Sequence, residues 1–149
     1  MAQAQKQVRI IEPLERFVNR INLVGCYARV SSDSEDQLNS YNNQVDFYES
    51  YVNSLENSKL VKIYTDEGIT GTRMDKRDGF LQMIEDCRKG LINRIITKSI
   101  SRFARNITET LSVVRELKSI GVSVYFMTEK IDTAKMGSNL KVSDKYLKT

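Results

Sequence analysis

The stretch that decides the fold reads Ile21-Asn-Leu-Val-Gly-Cys-Tyr-Ala28 and runs directly into Arg29-Val-Ser31-Ser32. A short apolar run of this kind is typical of a buried strand, because strands covered on both faces of a sheet are almost continuously hydrophobic. Apolar residues then recur at alternating intervals of three and four, at Leu38, Tyr41, Val45, Tyr48, Val52 and Leu55. This spacing predicts an amphipathic helix of about five turns that packs on the sheet.

Strands and helices continue to alternate along the rest of the chain. We predict strands over Leu60–Thr65, Arg94–Lys98 and Val122–Met127, and a short helix from Phe80 to Cys87 with its end at Gly90. Strands separated by helices in this order indicate an α/β fold with three layers. We expect a mostly parallel central sheet with helices on both faces.

A longer helix is predicted between the last two strands. Asn106, with Glu109 three positions later, is typical of a helix start, and Gly121 is typical of a helix end. The inner face of this helix would carry Ile107, Leu111, Val114 and Leu117.

The composition fits one soluble globular domain and excludes several kinds of chemistry. The chain has 149 residues, of which 40% are hydrophobic and 28% are charged. It contains no histidine, which excludes Ser-His-Asp, Cys-His and histidine–metal sites, because each of these needs an imidazole. Cys26 and Cys87 both lie in apolar runs, so we expect two buried thiols in a reducing compartment.

No segment of the sequence predicts membrane insertion. The longest uncharged apolar stretch, Ser119–Thr128, is about half of the ~20 residues that a membrane-spanning helix needs. The amino-terminal residues lack the apolar core of a signal peptide. We therefore expect a cytoplasmic chain.

The formal net charge of +4 averages two regions of opposite sign. Residues 31–57 contain six acidic and no basic side chains, whereas residues 88–118 contain eight basic and two acidic ones. A basic block is usually a solvated face and does not by itself predict nucleic-acid binding, so the argument for a function has to come from a site.

Polar and basic side chains follow each of the first three predicted strands. The first strand leads to Arg29 and Ser31, the second leads to Asp66, Glu67 and Arg77, and the third leads to Lys98, Arg102 and Arg105. Ligands of open α/β sheets bind at the carboxyl ends of the strands, so these side chains are predicted to converge there. Arginines around a hydroxyl suit attack on a phosphodiester, because guanidinium groups neutralise the growing negative charge without a metal ion.

These segments resemble a known family. Tyr27-Ala-Arg-Val-Ser31-Ser32 is similar to the nucleophile motif of the serine site-specific recombinases, the resolvase/invertase family, and above all of its large integrase and transposase members. The stretches Asp66-Glu-Gly-Ile-Thr-Gly-Thr72 and Lys98-Ser-Ile-Ser-Arg-Phe-Ala-Arg105 resemble the second and third motifs of that family, and Gly121–Thr133 resembles the end of its catalytic core.

The resemblance implies roles for individual residues. Ser31 would be the nucleophile that forms a 5′-phosphoserine link, and the arginines at the scissile phosphate would be Arg29, Arg77, Arg102 and Arg105. Gln44 would support the site, and Tyr27 and Glu67 would occupy structural positions of the motifs. Lys98, Arg102 and Arg105 would contact DNA.

The resemblance also implies the reaction and its partners. We expect cleavage and rejoining of double-stranded DNA without a metal, ATP or another cofactor, by a homodimer that assembles into a synaptic tetramer. The catalytic domain would span residues 21–134, between an extension over residues 1–20 and a basic tail over residues 135–149. That tail is short and lysine-rich, so we expect the chain to stop before the long dimerisation helix and the DNA-binding domains of the family.

Two residues depart from the motifs of the family. Ser101 stands where resolvases have an aspartate before the first arginine of the third motif, and Thr70 replaces a more usual serine.

The main alternative function is that of a non-catalytic α/β module that binds a phosphate or a protein partner. A nucleotide-binding domain is disfavoured, because no glycine-rich phosphate loop follows any predicted strand.

Overall fold

The structure, a computed structural model, describes residues 20–31, 34–68 and 77–136. For Ser31 and residues 34–39 the structure describes the backbone only. The predicted extension before Arg20, the tail beyond Met136, and Thr70 lie outside the described residues. The boundaries predicted for the three segments of the chain therefore stay predictions.

Five strands form one sheet in the order β2-β1-β3-β4-β5. The strands are β1 (Asn22–Ser31), β2 (Ser58–Gly68), β3 (Arg94–Thr97), β4 (Ser123–Phe126) and β5 (Ile131–Asp132). The first four are parallel to their neighbours, and only β5 is antiparallel, to β4. The predicted mostly parallel sheet is confirmed.

Helices cover both faces of the sheet, as expected. The helices are α1 (Ser34–Asn53), α2 (Asp78–Arg88), α3 (Ile100–Phe103) and α4 (Ile107–Ser119), and a 3-10 turn follows β5 over Thr133–Lys135. Side chains of α1 pack on one face in a cluster with Val24, Cys26, Ala28 and Ile96. The helices α2 and α4 pack on the other face around Tyr27, Ile95, Val124 and Phe126. Alternation along each strand separates these two clusters.

The first two strands are longer than the sequence predicted. The strand β1 continues through Arg29 to Ser31, and β2 continues through Asp66 to Gly68, with Ser31 opposite Gly68 in parallel register. The prediction that the second strand ends at Thr65 was therefore wrong. Pairing with β1 holds these polar residues in extended form, and hydropathy does not report such pairing.

The two cysteines are buried on opposite faces of the sheet. Cys26 lies in the cluster under α1, and Cys87 lies in the cluster under α2 and α4. Burial raises the pKa of each thiol to about 12, so neither is a thiolate at neutral pH. Among the helices that the structure describes, none is long and apolar enough to cross a membrane.

A buried carboxylate fixes how β1, β2 and α2 meet. Asp66 of β2 accepts a hydrogen bond from the Tyr27 hydroxyl at 2.7 Å. It also accepts from the backbone N–H groups of Gly79 at 2.7 Å and Phe80 at 2.9 Å, in the first turn of α2. N–H groups in the first turn of a helix have no partner within the helix. The Asp66 carboxylate therefore caps the start of α2, although it belongs to β2. A Cβ on Gly79 would lie 2.3 Å from the carbonyl oxygen of Thr65. The close approach of α2 to β2 at this position therefore requires glycine.

We predict that Asp66→Asn destabilises the fold by about 2 kcal/mol, measured by urea unfolding. An amide offers one acceptor oxygen, so at least one of the three buried donors would lose its partner or face an N–H group. The control is Asp86→Asn, which makes the same change at a carboxylate with the same 7% exposure.

The Asp86 carboxylate accepts only side-chain donors, from Tyr64 at 2.6 Å and from Gln82 at 2.8 Å. The Gln82 amide can reverse to accommodate an asparagine. We therefore expect a smaller loss of stability for Asp86→Asn than for Asp66→Asn. Equal losses would contradict the role given to Asp66.

Candidate active site

Two side chains converge on the backbone of β1 just before its end. The carbonyl oxygen of Arg29 accepts hydrogen bonds from Gln44 Nε2 of α1 and from the Arg102 guanidinium of α3, each at 3.3 Å. Gln44 also donates to the Ser40 hydroxyl at 3.0 Å. The structure thus brings together three of the predicted site residues, and it ties the end of β1 to both flanking elements.

A cleft of about 610 Å³ opens between α1 and the carboxyl edge of the sheet. The α1 wall supplies neutral polar groups and aromatic rings, and the opposite wall supplies two cations. The lining residues are Ser40, Asn43, Gln44, Phe47, Tyr48, Lys98, Arg102 and Met127. The cleft therefore combines positive charge with hydrogen-bonding amides at the predicted end of the sheet.

Tyr48 forms the floor of this cleft and is a neutral group. Its hydroxyl donates to the carbonyl oxygen of Tyr27 at 3.2 Å, and its side chain is buried. Burial raises the pKa of Tyr48, and the nearby Arg102 charge opposes that rise only in part. The hydroxyl stays protonated at neutral pH.

The segment after β3 is shaped by serine and glutamate contacts. Ser99 caps α3 by accepting from the Arg102 backbone N–H, and its hydroxyl lies 3.1 Å from that of Ser101. Glu129, beyond β4, accepts from the Ile100 backbone N–H at 3.2 Å. These contacts fix the short helix that carries Arg102, while Lys98 and Arg102 remain exposed.

Arg105 stands in the connection between α3 and α4 and is exposed. The helix that follows begins as the sequence predicted, because Asn106 Oδ1 accepts from the Glu109 backbone N–H at 2.8 Å. Gly121 beyond its end has φ +83°, the left-handed conformation expected of a residue after a helix. Arg105 thus directly precedes the residue that caps the start of α4.

Arg77 lies in a different environment from the other predicted arginines. Its side chain is 11% exposed, and its guanidinium carbon lies 3.9 Å from the centre of the Phe80 ring. It donates to Glu109 Oε1 at 2.8 Å and to the carbonyl oxygen of Phe103. Arg77 is not among the residues that line the cleft.

The remaining predicted residues differ in exposure. Tyr27 is fully buried and donates to Asp66, and burial together with that hydrogen bond raises the pKa of its hydroxyl. Glu67 is exposed in β2, opposite Val30 of β1. Ser31 is the last residue of β1, two positions beyond the Arg29 carbonyl that Gln44 and Arg102 contact.

The sequence did not assign two residues that shape this region, Phe103 and Glu109. Asp66 was predicted among the side chains that converge at the strand ends, and it lies buried against the first turn of α2. Phe103 is fully buried, with its ring packed edge-on against Phe80 at 5.1 Å and Phe126 at 5.3 Å. An Asn-x-x-Glu pattern marks a helix start, but it carries no signal that the glutamate pairs with Arg77.

Solved structures of recombinases share this fold. A resolvase family site-specific recombinase from Streptococcus pneumoniae superposes with a TM-score of 0.68 and 25% identity, covering 85% of this chain and 86% of that one. A serine recombinase from Sulfolobus solfataricus gives 0.53 and 29%, covering 71% and 68%. The N-terminal catalytic domain of TP901-1 integrase gives 0.63 and 22%, covering 75% and 82%, which shows the shared fold alone.

No curated protein shows significant sequence similarity to the chain. The family described as the resolvase N-terminal domain matches residues 24–143, which are most of this chain. This match contains β1 from Val24 onward, the strands β2 to β5, the cleft and every residue predicted for the site. The chain belongs to the resolvase N-terminal domain family.

Proposed function

We propose that the chain is a serine recombinase catalytic domain that cuts and rejoins double-stranded DNA. The observation that carries this proposal is the junction at the end of β1, where Arg102 and Gln44 both contact the Arg29 carbonyl beside a cationic cleft. Ser31 stands two positions after that junction in the chain. A hydroxyl beside guanidinium groups at an open edge suits attack on a phosphodiester.

The reaction would consist of two transesterifications. The Ser31 oxygen attacks the scissile phosphorus and loses its proton, while the bond to the 3′ oxygen breaks and that oxygen takes up a proton. The products are a 5′-phosphoserine and a free 3′-hydroxyl. A 3′-hydroxyl of a second strand then attacks the phosphoserine, which reforms a phosphodiester and returns the serine hydroxyl. Each step replaces one phosphate ester bond by another, so ATP is not required. Guanidinium groups would neutralise the charge that a metal ion neutralises in other enzymes, so the proposed reaction uses no metal.

The described cations support the first step electrostatically. Negative charge on the phosphate oxygens grows in the transition state, and planar guanidinium groups can donate two hydrogen bonds to such oxygens. Lys98, Arg102 and Arg105 are exposed at the edge of the sheet where the DNA backbone would approach. Arg29, in the last part of β1, completes the cationic set.

The proposal includes an assembly. Strand exchange needs two DNA sites, so the active form would be a homodimer that pairs into a tetramer. The alternative is a non-catalytic module that uses the same cations to hold a phosphate or an acidic partner. The two functions differ in one observable, which is a covalent bond between protein and DNA.

We predict that the protein forms a covalent adduct with supercoiled DNA that carries the sequences flanking its own coding region. Rapid denaturation traps the adduct, and peptide mass spectrometry locates the phosphonucleotide on Ser31. Ser31→Ala should abolish the adduct, while the neighbouring Ser32→Ala should retain it. An adduct that survives Ser31→Ala would exclude this nucleophile, and no adduct with the wild type would favour the binding module.

We predict that Arg102→Ala slows adduct formation by about 10²-fold or more, because a transition-state donor would be lost. The matched control is Arg115→Ala, which removes one exposed positive charge from α4, outside the cleft. Its rate should stay within about twofold, since exposed charges away from a site are screened at physiological salt. Comparable losses for both variants would mean that overall charge, and not the position of Arg102, determines the rate.

A further inference from the structure

The Arg77 guanidinium is enclosed by aromatic rings and by two acceptors. Phe80 covers one side of it at 3.9 Å, and the Tyr27 ring centre lies 5.8 Å away. Its two terminal nitrogens are used by Glu109 and by the Phe103 carbonyl. The remaining nitrogen, Nε, is buried and has no hydrogen-bond partner among the residues that the structure describes. Among the described residues, the protein itself thus engages both terminal nitrogens of this side chain.

Glu109 reaches Arg77 from the first turn of α4. A glutamate at this position of an Asn-x-x-Glu start normally bonds back to the N-cap backbone, which would close the capping box. Here Asn106 accepts from the Glu109 backbone N–H, but the carboxylate crosses to α2 instead. The amino-terminal ends of α2 and α4 are joined by this ion pair.

The two acceptors of Arg77 bracket the segment that carries the exposed arginines. Phe103 closes α3 just after Arg102, and Glu109 lies in α4 four residues after Arg105. A guanidinium is rigid and planar, so acceptors bound to its two terminal nitrogens are held at a set distance and angle. Arg77 thus spans the two ends of the connection from which Arg105 emerges.

On the basis of the function proposed above, we propose that Glu109 is a positioning residue for DNA cleavage. It holds Arg77 in place, and Arg77 in turn fixes the segment that presents Arg102 and Arg105 to the phosphate. Glu109 has to be charged, because a buried guanidinium without a counter-charge is costly, and it has to be long enough to cross from α4 to α2.

The chain offers a matched control for this pair. Arg88 and Glu116 form a second ion pair between α2 and α4, with 2.6 Å between Arg88 Nη2 and Glu116 Oε2. Both side chains are about half exposed, and neither contacts the connection between α3 and α4. Glu116→Gln therefore removes one α2–α4 ion pair and one negative charge without touching the segment of interest.

The test compares Glu109→Gln, Glu109→Asp and Glu116→Gln in two measurements on the full chain. The first is the rate of adduct formation at saturating DNA, together with the DNA affinity. We expect Glu109→Gln and Glu109→Asp to slow the rate by about 10-fold or more with little change in affinity, since small misplacements of catalytic groups are costly. Glu116→Gln should match the wild type. The aspartate variant keeps the negative charge at the start of α4, which separates the reach of the side chain from its effect on the helix dipole.

The second measurement needs no DNA. Amide hydrogen exchange over residues 103–110 should accelerate by about 10-fold in Glu109→Gln and stay unchanged in Glu116→Gln, because only the first variant releases the connection. If the wild type forms no adduct but exchange changes as expected, the proposed function fails and the structural tether stands.

Two results would overturn the proposal. A faster reaction in Glu109→Gln would mean that the glutamate restrains Arg77 and does not position the neighbouring arginines. Equal effects of Glu109→Gln and Glu116→Gln would mean that general docking of α2 on α4, and not this pair, matters.

Discussion

The rest of the structure depends on one buried carboxylate, that of Asp66. It stands in β2, but its three donors come from Tyr27 in β1 and from Gly79 and Phe80 in α2. A carboxylate that is buried away from water needs hydrogen-bond donors on both oxygens. Because these donors come from β1 and α2, the positions of β1, β2 and α2 constrain one another. Asp66 also lies opposite Arg29 in the parallel register. The same constraint that assembles the core therefore sets where β1 presents its polar end.

The described acidic side chains of α1 do not line the cleft. The residues of α1 that line it are Ser40, Asn43, Gln44, Phe47 and Tyr48, none of which carries a charge. The acidic Asp46 and Glu49 of the same helix are exposed and do not line the cleft. The field inside the cleft is therefore set by Lys98 and Arg102 alone among its lining residues. The average charge of +4 conceals this separation, which follows from the helical period.

Periodicity predicted the layers of the fold, whereas the limits of the strands and part of the site required tertiary contacts. The stripe of α1 placed Tyr48 and Val52 correctly in the core, but Tyr41 of the same stripe is 40% exposed. The helix α3 and the strand β5 are too short to show a period. Sequence patterns also treated Arg77 and Arg102 alike, because they do not show that Phe80 and Phe103 enclose one of them. Only the packed structure distinguishes Arg77, which stabilises the fold, from Arg102, which is exposed to solvent.

The proton chemistry of the site follows from what these residues lack. The chain contains no histidine, and the two tyrosines nearest the end of β1, Tyr27 and Tyr48, have pKa values raised by burial. Each hydroxyl therefore keeps its proton at neutral pH and donates it in a hydrogen bond to an oxygen of the protein, so neither can serve as the base for the serine. The described lining of the cleft adds cations and amides, and no carboxylate is among those residues. What the described residues offer to a serine nucleophile is therefore a positive field, which favours the alkoxide and the charged phosphate together.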